Sequence, residues 1–288
     1  MMGELVAGGR LAYLAARVSR SRKRLGELLE EIGDPGRVER LLGALFRAGH
    51  HSVFEHSFFR LEMDVPLREA RRSLAEWRYL TVTGRNGVVT VSLNGRTAME
   101  MLRSRSPEAR RVARMALRLC PELARPLGLD LPGDSGWAPR PGRTLAEGGV
   151  RVTPLVVSRH EDSRHGFASL LIEGVTRVTS HQIVRHRSLS IVQQSQRHSE
   201  VTSYRLPEGL GEEAARYVEE GIRLYRRLVE SGVPLEDARY VLPQACLTRM
   251  VASGRMDAWI HFVELRDSPE AQWEIRIVAR LVRRALSI

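Results

Sequence analysis

The sequence contains few cysteines and no long apolar run, and both shortages restrict what the protein can be. Cys120 and Cys246 are the only cysteines, and they lie far apart without a Cys-x-x-Cys pair. This excludes a disulfide framework and a cysteine-ligated zinc site, and no other metal-ligand spacing occurs. No apolar stretch approaches about 18 residues, so we expect no membrane-spanning helix. The first residues lack the pattern of a signal peptide, which predicts a cytoplasmic protein.

Lysine is also nearly absent, so the basic residues are arginine almost without exception. Lys23 is the single lysine among 45 basic residues, which face 34 acidic ones and give a formal net charge of +11. A guanidinium group can grip a carboxylate or a phosphate with two hydrogen bonds. The bias therefore fits a protein that binds phosphorylated small molecules or nucleic acid, and it also fits a thermophilic or GC-rich source.

A nucleic-acid-binding function has little support beyond this charge. Aromatic residues make up 6% of the chain, and neither a base-stacking platform nor a basic tail is visible. The arginines are spread along amphipathic helices, where such residues usually form a solvated face. We keep a basic nucleic-acid-binding protein as an alternative and expect no nucleic-acid partner.

Hydrophobic periodicity predicts a mixed chain with many helices and few strands. Apolar residues recur at helical spacing over residues 4–32, 36–49, 67–79, 95–104, 107–119, 175–187, 211–231, 235–250, 256–265 and 269–286. Strand patterns occur over residues 58–65, 88–93, 150–158 and 165–174. The expected fold class is α/β of the α+β type, with a central, mostly antiparallel twisted sheet flanked by helices.

The two halves of the chain resemble each other when His56 is placed on His165. The pairs that then match without a gap are Phe58 with Phe167, Leu61 with Leu170, Arg68 with Arg177, Arg78 with Arg187 and Leu80 with Leu189. The tetrapeptide Ser-Pro-Glu-Ala also occurs at 106–109 and again at 268–271. These matches predict that one structural unit occurs twice.

We interpret the chain as two diverged tandem copies, residues 1–120 and 150–288. Proline and glycine are frequent over residues 121–149, which predicts a linker or long loop between them. The alternative is an insertion over residues 66–164 that is peculiar to this chain and matches the second half by chance.

Residues 185–197 (RHRSLSIVQQSQR) form the segment that is densest in hydrogen-bond donors. They include three arginines, one histidine, three serines and three glutamines. Such a set suits an anionic ligand that makes many hydrogen bonds, such as a nucleotide phosphate, while hydroxyls and amides can read a base edge. A solvated polar loop after a basic helix is the alternative.

This segment resembles the signature RHRxxSxxQxSxR of the flavin-dependent thymidylate synthases. Other segments that resemble the family are 16–19 (ARVS), 50–56 (HHSVFEH), 180–182 (SHQ), 230–234 (ESGVP), 238–243 (ARYVLP), 247–249 (LTR), 259–266 (WIHFVELR) and 272–274 (QWE). The resemblance covers residues 15–56 and 165–288, and the residues between them are not typical of the family.

The resemblance implies an FAD-dependent methyltransferase that converts dUMP to dTMP. Methylenetetrahydrofolate would donate the carbon, and flavin reduced by NADPH would donate the hydride. No cysteine nucleophile is needed, which agrees with two cysteines in apolar helical contexts. A homo-oligomer, dimer or tetramer, is also implied, as is the absence of a membrane partner.

The resemblance also implies roles for individual residues. Those expected to contact FAD are Ser19, His50, Ser52, Arg185, His186, Arg187 and Gln193. Those expected to hold dUMP are Gln182, Gln193, Ser195, Arg197, Arg249 and Arg266. The expected catalytic residues are Arg197, Ser195 and His50. A neighbouring subunit is expected to supply Arg249 and Arg266.

The sequence departs from the family at two places in the C-terminal half. Val192 and Gln193 replace an Asn-Glu pair, which keeps a hydrogen bond to a uracil edge and loses the charge. Arg255 stands where the family has the asparagine of an Asn-x-Arg pair. These departures leave open an inactive paralogue that binds flavin and nucleotide.

The N-terminal half contains the pair that the C-terminal half lacks. Asn94 begins an Asn-Gly-Arg run that ends at Arg96, and it stands eleven residues before Arg105, which is the family's spacing. Our hypothesis is that the N-terminal half supplies these FAD contacts while the C-terminal half supplies the RHR helix and the nucleotide loop. An assembly of two such tandem chains would then replace an assembly of four chains.

Overall fold

Two antiparallel β-sheets organise the chain in the computed structural model, which describes residues 2–201 and 203–288. The first part of the chain contains β1 (Met2–Ala7), α1 (Gly9–Arg20), α2 (Leu25–Glu31), α3 (Pro35–Arg47), β2 (Phe58–Met63), α4 (Leu67–Leu74), β3 (Leu80–Arg85), β4 (Val88–Asn94), α5 (Gly95–Met101) and α6 (Pro107–Arg118). The predicted α+β class is confirmed, with the strands divided over two sheets.

The second part of the chain carries the larger sheet and the longest helix. It contains α7 (Pro121–Ala124), β5 (Leu145–Glu147), β6 (Val150–Ser158), β7 (Phe167–Thr176), α8 (Arg177–Ile183), β8 (Ser190–Gln193), α9 (Gly211–Glu230), α10 (Leu235–Ala238), β9 (Leu247–Arg255), α11 (Met256–Arg266) and α12 (Trp273–Leu286). Short 3-10 helices lie at His51–His56, Arg125–Leu127, Glu208–Leu210 and Arg239–Val241.

Polar residues at the ends of two strands start the helices that follow. The Asn94 side chain accepts a hydrogen bond from the backbone N–H of Thr97 and so caps α5. The Thr176 side chain accepts from Thr179 in the same way and caps α8. Such caps satisfy backbone donors that a helix leaves unpaired at its first turn. They therefore fix where β4 and β7 end.

The two sheets have the same strand order. The N-terminal sheet runs β1-β2-β4-β3, and the C-terminal sheet runs β6-β7-β9-β8 with β5 added at its edge. In both, a short helix connects the second and third strands in sequence, and two helices follow the fourth strand. Helices α1–α3 are inserted in the first unit, and α9 and α10 in the second. This shared topology is what two diverged tandem copies would show.

The hydrogen-bond register agrees with the sequence overlay of the two halves. Phe58 on β2 pairs with Asn94 on β4. Phe167 on β7 pairs with Arg255 on β9. The overlay matches Phe58 with Phe167, and the strand pairing of these two residues then makes Asn94 and Arg255 corresponding positions. Residues at corresponding positions therefore have corresponding neighbours in the two sheets.

The two units face each other through reciprocal contacts. The Nδ1 atom of His56 lies 2.7 Å from Oγ of Ser253, and Nδ1 of His165 lies 2.7 Å from Oγ of Ser92. Ser92 and Ser253 each stand two residues before the matched pair described above, so the two contacts are equivalent. An interface in which residue i of one unit meets residue j of the other, and the reverse, is the isologous arrangement of a two-fold dimer.

Apolar packing joins the units at the same place. The rings of Phe58 and Phe167 stack with centroids 4.6 Å apart. They belong to one buried cluster with residues from β1, α1, β6, β7 and β9, including Leu11 and Val251. The burial of apolar surface is the main favourable contribution to folding, so this shared cluster couples the two units.

Several predicted elements are wrong. Residues 4–32 form a strand and two helices because β1 pairs with β2. The helix predicted over 67–79 ends at Leu74, and β3 follows it. The helix predicted over 235–250 is limited to α10, and the chain then forms β9. The segment 121–149 begins with α7 and a 3-10 helix and ends with β5, and residues 128–144 between them form a long irregular loop. The chain therefore has more strands than expected.

Among the described residues, no helix is both long enough and apolar enough to cross a membrane.

Candidate active site

Six of the fourteen predicted site residues line one cavity, which lies between α1, the 3-10 helix after α3, and the segment around β8. We call it the signature cavity, and it has a volume of about 320 Å³. Its lining includes the predicted site residues Ser19, His50, Ser52, Gln193, Ser195 and Arg197. The structure therefore brings together residues from three separate segments of the sequence.

Backbone contacts hold residues 193–197, which we call the nucleotide loop, against α1. The N–H of Ser195 donates to the carbonyl oxygen of Ser19 at 2.8 Å. Ser195 Oγ in turn accepts from the N–H of Arg197 at 3.2 Å. These bonds place the loop after β8 beside the last turn of α1. The serine hydroxyls are therefore positioned by backbone, which leaves the longer side chains free to reach into the cavity.

The longer polar side chains of the signature cavity already have partners. The Nε2 atom of Gln193 donates to Oγ1 of Thr248 at 3.2 Å. The guanidinium of Arg197 pairs with the Glu236 carboxylate, with Nε 2.8 Å from Oε2. Both members of this ion pair are about half exposed, so it contributes little to stability. An anionic ligand can therefore take Glu236's place at Arg197 at small cost.

A second cavity lies where the two units meet. We call it the junction cavity, and its volume is about 510 Å³. Four pairs of corresponding residues line it, and these are Phe58 with Phe167, Arg78 with Arg187, Tyr79 with Ser188, and Asn94 with Arg255. A cavity on the axis of a two-fold dimer would be lined by two copies of each residue. Here the last two pairs differ in chemistry, so the cavity is asymmetric.

The predicted residues Asn94 and Arg96 both act at this junction. Asn94 lines the cavity while its side-chain oxygen caps α5. Arg96 donates to Glu55 at 2.9 Å. Glu55 also accepts from the Ser190 hydroxyl at 2.8 Å, and Ser190 begins β8. The N-terminal pair is therefore connected by hydrogen bonds to the signature segment of the C-terminal half.

Arg255, at the position corresponding to Asn94, is bound by its neighbours. Its guanidinium pairs with both oxygens of Asp257, at 3.0 and 2.8 Å. A third bond of 2.9 Å reaches the Thr81 hydroxyl of the other unit. A side chain held by three hydrogen bonds has little capacity left for a ligand. The two corresponding positions thus have different roles.

The RHR segment presents its three side chains in different directions. Arg185 and Arg187 are exposed, and Arg187 lines the junction cavity. His186 is buried, and its Nε2 accepts from Nε of Arg266 at 2.8 Å. Arg266 also donates to the carbonyl oxygen of Gln182 at 3.4 Å. Gln182, His186 and Arg266 therefore form a cluster of their own, outside the signature cavity.

Burial keeps His186 neutral. Burial, together with the nearby charges of Arg266 and His261, lowers the pKa of this imidazole to about 4. A neutral ring with an accepting Nε2 has its proton on Nδ1. The ring also packs edge-on against Phe262, with centroids 4.7 Å apart. His186 is thus a positioned hydrogen-bond acceptor for Arg266 near neutral pH.

Arg249 supports the fold around α1. Its guanidinium donates to the carbonyl oxygens of Ser21 and Lys23, just after that helix. It lies 3.8 Å from the carboxylate of Glu173. Burial lowers the pKa of Arg249, and Glu173 acts against this effect. Arg249 lines a cavity of about 380 Å³ next to the signature cavity, together with Gln194 and Thr248.

The sequence did not single out Glu55 and Tyr79, although each lines the junction cavity. Glu55 stands inside the HHSVFEH segment, and nothing in that motif marks it as a bridge to Ser190. Tyr79 follows Arg78, which the overlay matches with Arg187. The match of Arg78 with Arg187 in the sequence overlay was thus the signal that could have identified the neighbouring Tyr79.

Both cysteines are free and buried, which leaves no reactive thiol in the candidate site. Both cysteines were expected in helical contexts. Cys120 follows α6, but Cys246 directly precedes β9, so the expectation is wrong for Cys246. Burial raises the pKa of both thiols, that of Cys246 to about 11. Thiols are nucleophilic only as thiolates. Within residues 2–201 and 203–288, no three acidic, histidine or cysteine side chains are grouped to hold a metal ion.

Comparison with known proteins gives one family for this chain. A family model described as "Thymidylate synthase complementing protein" matches residues 5–86 and 156–287, more than half of the sequence. The match leaves out the segment that holds Asn94 and Arg96.

Similar proteins include flavin-dependent thymidylate synthases of Thermococcus onnurineus, 39% identical over 127 residues, and Geobacter sulfurreducens, 41% identical over 125. Each alignment covers 40% of this chain and 52% or 54% of the relative. The chain thus spans about half the length of the curated relatives it matches.

A crystal structure of the flavin-dependent thymidylate synthase from Helicobacter pylori, complexed with FAD and dUMP, is 22% identical to this chain. The aligned region covers 42% of this chain and 68% of the Helicobacter pylori chain, with a TM-score of 0.39.

Because the family model matches more than half of the sequence, this chain belongs to the Thymidylate synthase complementing protein family.

Proposed function

We propose that this chain is an FAD-dependent thymidylate synthase that methylates dUMP to dTMP. One observation carries the proposal, the meeting of Ser19, His50 and Ser52 with the nucleotide loop in the signature cavity. Methylenetetrahydrofolate is the proposed carbon donor and NADPH the proposed reductant. The similarity to flavin-dependent thymidylate synthases supports the same reaction.

The nucleotide loop offers the groups that dUMP requires. Arg197 carries a charge that can pair with the phosphate in place of Glu236. Gln193 donates through Nε2 to Thr248, so its amide oxygen is free to accept the N3–H of a uracil ring. Ser195 stands between them and can donate through its hydroxyl. We therefore assign these three residues to substrate binding and regard Arg197 and Ser195, with His50, as the catalytic residues.

The residues present also fit a flavin. Arg185 and Arg187 are exposed cations on the same turn, and Ser19 and Ser52 add neutral hydrogen-bonding groups. The positive charge of the two arginines can pair with the pyrophosphate of FAD and also favours an electron-rich reduced ring. When bound, reduced FAD supplies the hydride. The side chains around it hold the ring in place and exclude water, and Asn94 and Arg96 are proposed to extend this site from the N-terminal half.

The remaining predicted residues support a proposal about assembly. Gln182, His186 and Arg266 lie outside the signature cavity of their own chain. We propose a homo-oligomer, a dimer or a tetramer, in which Arg266 and Arg249 serve the site of a neighbouring subunit. The proposed compartment is the cytoplasm, where free buried thiols such as Cys120 and Cys246 are the rule.

The function is tested by tritium release from dUMP labelled at C5, with NADPH, FAD and methylenetetrahydrofolate supplied. Gln193→Ala should lower kcat/KM for dUMP about 10- to 100-fold, since a buried hydrogen bond to the base is lost. Gln194→Ala is the matched control, because Gln194 lines the neighbouring cavity, and it should stay within about twofold of the wild type. FAD binding without tritium release would instead identify an inactive paralogue.

A further inference from the structure

Tyr79 has a backbone conformation that an aromatic residue rarely adopts. Its φ is +58°, in the left-handed region where the Cβ atom of an L-residue is crowded. Its side chain is 54% exposed, so burial does not compensate for this conformation. Residues held in sparsely populated backbone conformations concentrate at functional sites. The position therefore calls for a partner that the ring would contact.

The surroundings of Tyr79 indicate what that partner is. Tyr79 lines the junction cavity beside Arg78, with Arg187 contributed by the other half of the chain. Both guanidinium groups are exposed and can bind phosphate oxygens. An aromatic face accepts a planar heterocycle by stacking, largely whatever its identity. The combination fits a planar ring that carries phosphate groups.

The cavity offers this stacking surface on one side only. The sequence overlay matches Tyr79 with Ser188, which also lines the cavity. The hydroxymethyl side chain of serine has no ring on which a planar ligand could stack. The corresponding anchors also differ, because Asn94 faces the cavity while Arg255 is bound to Asp257 and Thr81. A planar ring that stacks on Tyr79 therefore has no equivalent platform at the corresponding position of the other half.

Strand β8 connects the junction cavity to the signature cavity. Ser190, its first residue, lines the junction cavity, and Gln193, its last, lines the signature cavity. Three strand residues span about 10 Å. A dinucleotide with two ring systems joined by a pyrophosphate can reach from one cavity to the other.

We propose that Tyr79 is the platform on which the adenine ring of the dinucleotide cofactor stacks in the junction cavity. The proposal rests on the proposed function, in which the reacting flavin ring must lie beside the nucleotide loop of the signature cavity. That placement leaves the other ring system of FAD for the junction cavity. Arg78 and Arg187 are then positioned for the pyrophosphate between the two rings.

The test measures the affinities of the full-length apoprotein for FAD, ADP and FMN by calorimetric titration. Tyr79→Gly should weaken the binding of FAD and of ADP by the same factor, about 10- to 100-fold, through loss of stacking. FMN, which lacks adenine, should bind the variant as it binds the wild type. Tyr79→Phe keeps the ring and should retain FAD affinity within about twofold.

Tyr79→Gly also separates binding from folding. Glycine adopts the left-handed conformation without steric cost, so the unfolding temperature should stay the same or rise. Unchanged FAD and ADP affinities in this variant would overturn the proposal, as would an equal loss of FMN. A wild-type protein that binds neither FAD nor FMN would overturn the proposed function itself.

Discussion

Asn94 combines a structural task with a proposed binding task. Its side-chain oxygen caps α5, while the residue faces the junction cavity. Aspartate keeps the oxygen acceptor for the cap and removes the amide donor, whereas alanine removes both groups. The two substitutions therefore distinguish the cap from the ligand contact.

We predict that Asn94→Asp and Asn94→Ala both lower FAD affinity, by about tenfold for one lost hydrogen bond. Only Asn94→Ala should also lose stability, about 1 kcal/mol for the missing cap. Absorbance of bound flavin and thermal unfolding measure the two effects. Ser106→Ala removes the cap of α6 and serves as the control, with equal destabilisation and unchanged FAD content. Full FAD retention in both Asn94 variants would remove Asn94 from the site.

The two junction histidines predict a loss of stability in mild acid. Burial lowers the pKa of His56 to about 3 and that of His165 to about 4, against 6.5 for an ordinary histidine. As pH falls below 6.5, the unfolded chain binds protons that the native protein does not. The free energy of unfolding should therefore decrease, by up to about 1.4 kcal/mol per pH unit for each histidine.

Denaturant titrations between pH 7 and pH 5 measure this slope. Glu31 and Asp162, whose pKa values are both about 2, contribute only in stronger acid. His165→Gln should reduce the slope by about a third, because His186 titrates in the same range as His56 and His165 and one of three titrations is removed. His198→Gln replaces an exposed histidine in the same way and serves as the matched control. A wild-type stability that is flat over this range would contradict the assignment.

At the scale of elements, glycine places a bulge in β7. The pairing of β7 with β9 shifts between Glu173 and Val175. Gly174 has a φ of +71°, and a Cβ atom there would lie 2.4 Å from the carbonyl oxygen of Gly149. Gly174 also presents its own carbonyl oxygen to Arg205 at 2.6 Å. The bulge therefore depends on the absence of a side chain.

Gly174→Ala should lower the free energy of unfolding by about 3 kcal/mol, because backbone strain and a backbone clash add. Gly232→Ala is the matched control, since Gly232 also has a positive φ but has open space around its Cβ position. It should cost about 1 kcal/mol. Equal losses in the two variants, measured by urea unfolding, would show that the clash is relieved.

The elements that local pattern determines were predicted well, and those that tertiary pairing determines were not. Helices α3 and α6 have a proline at the start after an Asp or Ser cap and an amphipathic face, so sequence alone locates them. Strand β9 is rich in residues that also suit helices, such as Met250 and Ala252. It is a strand because β7 and β8 pair with it on both sides.

In the candidate site, too, the sequence motif identified some residues correctly, whereas the roles of others depend on tertiary contacts. The signature motif indicated Gln193, Ser195 and Arg197, and the structure places them in one cavity. The motif could not show that Arg249 holds the backbone after α1. Nor could it show that Arg266 contacts His186 instead of that cavity. Such contacts depend on distances between distant segments, which spacing along the chain does not encode.

At the scale of the whole molecule, the shared cluster around Phe58 and Phe167 predicts cooperative unfolding. Phe167→Ala removes a buried ring from that cluster, which should cost about 3–5 kcal/mol. Calorimetry should show a single transition in the wild type and a single transition lowered by roughly 10 °C in the variant. Leu281→Ala, inside the C-terminal core, should also shift the whole transition. Two transitions, of which only one moves, would show that the halves unfold independently.

The reciprocal contacts of His56 and His165 have a consequence for how such a chain changes over time. In a symmetric homodimer, any substitution near the axis is imposed on both sides at once. Joining the two units in one polypeptide removes that restriction, so each side of the central cavity can mutate alone. Tyr79 differs from its counterpart Ser188, and Asn94 differs from its counterpart Arg255, as independent substitution on the two sides allows. An asymmetric inhibitor could exploit this difference, because a symmetric homodimer would offer no matching surface.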